Sequence, residues 1–148
     1  MITEIRTNRV VVIEPQLLFG RALAAVLAAD PTITVLAVVR DPSDFTLPVG
    51  EAPPKLAIVG IEDGTQDVYP LFAHCRRRFP GTRLCALSGP VEAGLMRRCL
   101  AAGADGFIAK DVSRRDLITA VKLVAAGTPY VDPRVTGAAL HRSLAGVN

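Results

Sequence analysis

Five short apolar runs recur along the 148 residues, and nearly every one is followed by a longer stretch with helical spacing. Few folds accept that rhythm. Val10-Val11-Val12-Ile13, after Arg9, is continuous and β-branched rather than alternating, as in a strand covered on both faces. Further strands are expected at Thr34 to Val39, Leu56 to Val59, Leu84 to Leu87 and Gly106 to Ala109. Leu17 to Ala29 reads as a helix with Leu23, Val26 and Leu27 on its apolar face, ended by Asp30-Pro31. Asp67 to Phe79 tolerates Pro70 in its first turn and closes at Pro80-Gly81. Val91 to Ala102 runs to Gly103. Ser113 caps a helix from Arg114 to Ala126 with Leu117, Val121 and Val124 on one stripe, and Gly127 stops it. The second connection differs, because Pro48, Gly50, Pro53 and Pro54 leave little room for a helix after Asp41-Pro42.

Strands of this length alternating with helices imply an α/β fold with a parallel sheet and helices on both faces. For five strands the expected architecture is the flavodoxin-like doubly wound sheet, order 2-1-3-4-5. Its crevice lies at the carboxyl ends of strands one and three, where the residues are Glu14, Pro15 and Gly60. Residues 1–128 are assigned to this domain and 129–148 to a C-terminal tail. In the tail, Asp132-Pro133 is expected to open a short helix with Val135, Ala138, Ala139 and Leu140 on its apolar side.

Half of the residues are hydrophobic, enough for a full core, yet the apolar runs are far shorter than the ~20 residues of a membrane span. Met1-Ile2-Thr3-Glu4 shows no secretion signal, so a cytoplasmic, reducing location is expected. Cys75, Cys85 and Cys99 are odd in number, have no CxxC spacing and read as small buried hydrophobes. Charge is uneven: residues 1–74 hold 5 Lys/Arg against 9 Asp/Glu, and residues 75–148 hold 12 against 5. The excess sits in Arg76-Arg77-Arg78, Arg97-Arg98 and Arg114-Arg115. No aromatics interleave these arginines, which favours solvated helix faces or a protein-partner surface over direct nucleic-acid binding.

Three stretches carry a resemblance: Val11-Val12-Ile13-Glu14-Pro15-Gln16-Leu17-Leu18, Leu87-Ser88-Gly89, and Ala101-Ala102-Gly103-Ala104-Asp105-Gly106-Phe107-Ile108-Ala109-Lys110-Asp111. They resemble a response-regulator receiver domain of the NarL/FixJ branch, from about Arg9 to Leu140. Such domains hold Mg²⁺ between two acids after strand one and an acceptor aspartate after strand three, and transfer a phosphoryl group to that aspartate. The resemblance assigns Ser88 as the switch hydroxyl, Phe107 as the switch aromatic and Lys110 as the phosphate-binding lysine. Glu14 stands where the first acid belongs. Pro15 replaces the second acid, and Gly60 replaces the acceptor.

With one carboxylate of three, neither Mg²⁺ nor any other cofactor is expected, and no enzymatic activity. Glu62 and Asp63 are poorly placed as substitute acceptors. Lys110 is expected to pair with Glu14, Ser88 to cap the following turn, Phe107 to pack in the core, Asp67 to cap its helix and His74 to be structural. The resulting expectation is a phosphorylation-independent pseudo-receiver in two-component signalling and transcription regulation. It would work as a homodimer or on a protein partner, reaching DNA only through an output domain absent from this chain. Arg97, Arg98, Arg114 and Arg115 are expected on or near the contact surface. The alternative is a receiver that senses a small molecule in the vacated pocket. An octahedral cation in the crevice, or a carboxylate oxygen beside Lys110 in the acceptor's place, would overturn the phosphorylation-independent reading.

Overall fold

The computed structural model describes residues 7–135. It is built from β1 (Asn8–Ile13), α1 (Leu17–Ala28), β2 (Ile33–Val39), β3 (Leu56–Ile61), α2 (Val68–Arg78), β4 (Arg83–Ser88), α3 (Ala93–Ala101), β5 (Gly106–Ala109), α4 (Arg114–Ala125) and β6 (Tyr130–Val131). All strand pairs are parallel, and the sheet order is β2-β1-β3-β4-β5-β6. The doubly wound 2-1-3-4-5 order holds, and one strand is added at the far edge. Tyr130 and Val131 pair with Gly106 and Phe107. A two-residue strand carries no readable periodicity, which is why its sequence gives no sign of it.

The unbroken apolar runs serve two cores, one on each side of the sheet. Val10, Val12, Leu56, Ile58, Cys85, Leu87 and Ile108 pack under α1 and α4. Val11, Ile13, Ala57, Val59, Ala86 and Phe107 pack under α2 and α3. Successive residues point to opposite faces, so a strand buried on both must be apolar at every position. No helix joins β2 to β3. Pro42–Asp44 form a single 3-10 turn capped by Asp41, whose carboxylate accepts the Ser43 N–H at 2.9 Å. Phe45, beyond that turn, fills part of the space against Phe79, with ring centroids 5.5 Å apart.

β3 runs one residue past Gly60, so Gly60 is a buried strand residue and not the first of the loop. Asp67 accepts the Tyr69 N–H and Ser113 accepts the Asp116 N–H, the two expected N-caps. All three cysteines are buried and unpaired, and burial pushes the thiol of Cys75 up to about 12 and that of Cys99 up to about 11. Among the described residues no helix is long and apolar enough to cross a membrane. Val135 of the expected tail helix is fully buried; Ala138, Ala139 and Leu140 lie outside the described residues.

Candidate functional site

The parallel pairing of β1 with β3 aligns Ile13 with Val59, which brings Glu14 and Gly60 side by side at the carboxyl ends of the central strands. Glu14 is 1% exposed. α1 can lie directly over it because Gly20 has no side chain: a Cβ there would come within 2.8 Å of Val38 Cγ1 and 3.2 Å of Glu14 Cβ. The longer Glu side chain then reaches across to β3. A Cβ on Gly60 would lie 2.7 Å from the Glu14 carboxyl carbon and inside the van der Waals envelope of Oε2. The Glu14 carboxylate therefore occupies the volume in which a side chain at position 60 would begin.

Two groups hold that carboxylate. The Gln16 N–H donates to Oε1 at 3.1 Å. Lys110 Nζ lies 3.2 Å from Oε2. The ammonium sits within ion-pair reach but off the hydrogen-bonding direction, so Oε2 accepts no hydrogen bond. Lys110 is itself confined: its side chain is 15% exposed, its Nζ stands 4.7 Å from the centre of the Phe19 ring, and its backbone N–H donates to the Ser88 carbonyl at 2.7 Å. The sequence predicts the Glu14–Lys110 pair. It gives no sign of Phe19 and Gly20, since both lie on α1 and reach the site only through helix packing.

Ser88 ends β4, aligned with Ile61 and Ala109, and is fully buried. Its hydroxyl donates to the Pro90 carbonyl at 2.7 Å, which is the turn-capping role. Phe107 is fully buried in the core beneath α2 and α3. Pro15 is exposed. Glu62 and Asp63 are exposed in the loop after β3, where Asp63 accepts the Thr65 N–H at 2.9 Å; hydrogen bonds from Thr65 hold its carboxyl below the usual range. His74 is bound at the surface to Asp41, 3.2 Å away.

The four arginines do not share one helix face. Arg97 is exposed on α3, and Arg98 of the same helix donates to the Gly64 carbonyl in the β3–α2 loop. Arg114 and Arg115 are exposed at the start of α4, on the other side of the sheet. Arg114 borders a groove of about 210 Å³ between α1 and α4, lined by Phe19, Leu23, Val26, Lys110 and Leu117 among others.

Mg²⁺ does not fit this arrangement. It needs several oxygen ligands in octahedral geometry. The one carboxylate at hand is already paired with Lys110, and among the described residues no three His, Cys, Asp or Glu side chains converge.

No protein-family model matches the chain. Among curated proteins it is 27% identical over 135 residues to the transcriptional regulatory protein DegU of Brevibacillus brevis, covering 86% of this chain and 54% of that protein. It is 28% identical over 122 residues to the DNA-binding transcriptional activator DevR/DosR of Mycobacterium tuberculosis, covering 82% and 56%. It is also 31% identical over 137 residues to a protein-glutamate methylesterase/protein-glutamine glutaminase of Symbiobacterium thermophilum, covering 85% of this chain but 38% of that enzyme. The chain thus spans about half the length of the two regulators and less of the esterase. Among solved structures, the signal receiver domain of NarL from Mycobacterium tuberculosis matches with a TM-score of 0.69 at 24% identity, over 82% of this chain and 98% of that one. A LuxR-family two-component response regulator from Aurantimonas sp. SI85-9A1 matches with a TM-score of 0.77 at 14% identity, over 93% and 99%. The structural matches establish the receiver fold.

Proposed function

We propose that this chain is a response-regulator receiver domain and that it signals through protein contacts, with no covalent phosphate. The observation that carries the reading is the position of Glu14. Its carboxylate takes up the space at Gly60 and faces Lys110, so the lysine's partner is built into the chain.

A carboxylate beside Lys110 is also what an acceptor would look like, and the physical setting favours the built-in partner. Glu14 is 1% exposed beneath α1, so a phosphodonor has no line of approach to it. Phosphoryl transfer also needs a cation to neutralise charge on the phosphoryl oxygens, and the residues here do not assemble a site for one. The charge that phosphate would bring is supplied instead by a group that does not come and go. The same filling of the pocket disfavours a small-molecule ligand there.

By likeness to relatives described as transcriptional regulators, the domain serves transcription control in the cytoplasm. It acts as a homodimer or on a protein partner, and DNA is contacted by an output domain.

The test is intact mass after incubation with acetyl phosphate and Mg²⁺. The expected result is no adduct. A phosphoryl adduct that disappears in Glu14→Gln makes Glu14 the acceptor and overturns the proposal; one that disappears in Asp63→Asn or Ser88→Ala overturns it by another route.

A further inference from the structure

The segment after α4 is bound to the sheet edge more firmly than a two-residue strand accounts for. Gly127 turns the chain with φ +95°, and β6 then pairs with β5. So short a strand has little stability of its own. Three further anchors hold it. Val135 is fully buried in the core beneath α2 and α3. Asp132 is 3% exposed; its N–H donates to the Phe107 carbonyl at 2.9 Å, and its carboxylate accepts the Arg134 N–H at 2.9 Å. Arg134 then forms a fork, donating to both oxygens of Asp111 at 3.0 and 2.7 Å and returning to Asp132 at 3.1 Å.

Charge responds as the geometry requires. Burial pushes the Asp132 carboxyl up, but hydrogen bonds from Arg134 outweigh it and the net direction is down. Asp111 is lowered chiefly by its side-chain bonds to Arg134.

Asp111 directly follows Lys110. The two neighbours on the β5–α4 turn are tied in different directions: Lys110 to Glu14 in the pocket, Asp111 to Arg134 in the segment. The Phe107 carbonyl is committed to the same segment.

We propose that residues 130–135 form a strap, latched by Arg134, that couples the β5 edge to the Lys110–Asp111 turn of the pocket. Two consequences follow. A partner segment that pairs with β5 must first displace the strap. And the position from which the chain continues past Val135 depends on the pairing of Lys110 with Glu14 and of Asp111 with Arg134. The inference is independent of whether the pocket accepts phosphate, so the outcome of its test and that of the phosphodonor experiment can be told apart.

Hydrogen exchange by mass spectrometry on the full chain tests it. Arg134→Gln alters a half-exposed side chain, so the fold persists, and exchange across 130–135 should quicken by about tenfold while β1 and β3 stay as in wild type. Glu14→Gln, which changes charge in the pocket without changing its shape, should quicken the same amides relative to those of β2 at the opposite edge. Unchanged strap exchange in Arg134→Gln removes the latch. Strap exchange that quickens in Arg134→Gln but stays at the wild-type ratio to β2 in Glu14→Gln removes the coupling. Either result overturns the proposal.

Discussion

Glu14 and Gly60 share one side-chain volume: each is possible because of the other. A Cβ at position 60 would approach the Glu14 carboxyl carbon to 2.7 Å, and Glu14 is too enclosed to move aside without leaving Lys110. Gly60→Ala should therefore destabilise the domain by about 1–3 kcal/mol, as overpacking does. The double variant Glu14→Ala/Gly60→Ala should cost less than the sum of the two single changes. A double-mutant cycle from urea unfolding measures this. Additive costs would mean that the two positions do not contend for the same space.

Lys110 is the nearby cation for a buried carboxylate. Lys110→Met removes it and leaves Glu14 charged in an apolar setting, which costs about 3 kcal/mol where the surviving partner stays buried. Lys110→Met/Glu14→Gln should recover most of that loss, because the uncompensated charge goes with it. Chemical-denaturation midpoints of the three proteins check the order. A single Lys110→Met variant as stable as wild type would show that solvent at the partly exposed lysine already does its work.

What could be read without coordinates followed local physics. Strands buried on both faces must be apolar throughout, so the central strands stood out, edge strand β2 was marked by its β-branched run, and the proline-rich stretch at residues 48–54 announced the missing helix between β2 and β3. The pocket was legible because its residues sit at strand ends, and the winding of the sheet brings those ends together. The rest depends on register or packing. That Glu14 enters the space beside Gly60 follows only from the pairing of Ile13 with Val59 and from the close seat of α1 at Gly20. The Asp111–Arg134 fork joins residues 23 apart on either side of α4, and depends on the docking of β6 against β5, which no periodicity marks.

Asp30 should leave a signature in acid. Its carboxyl is lowered from 3.8 to about 2, first by the Thr32 hydroxyl, then by the Thr32 N–H, with a smaller contribution from Lys122 at 3.1 Å. A folded-state value below the unfolded one adds stability that is fully present above about pH 4–5 and is lost as pH falls towards 2. Asp30→Asn should flatten the decline of the urea midpoint over that window and lower the midpoint at neutral pH. Parallel curves for wild type and variant would remove Asp30 from the acid response.

Self-association is expected on the α1–α4 side. There the apolar groove beside Phe19 and Leu23 meets Arg114, and Leu18 at the start of α1 is 85% exposed. Arg114 and Arg115 form no salt bridge among the described residues and are exposed, so reversing their charge changes the surface without breaking an internal bond. Arg98 is different: it is tied to Gly64, and reversing it disturbs the β3–α2 loop as well. Arg114→Glu/Arg115→Glu should accordingly lower the light-scattering mass of an associated wild type to that of a monomer while leaving the melting temperature within a few degrees. Arg97→Glu alone should leave the mass unchanged. If Arg97→Glu dissociates the protein and Arg114→Glu/Arg115→Glu does not, contact runs through α3, and the basic start of α4 is only a solvated helix end.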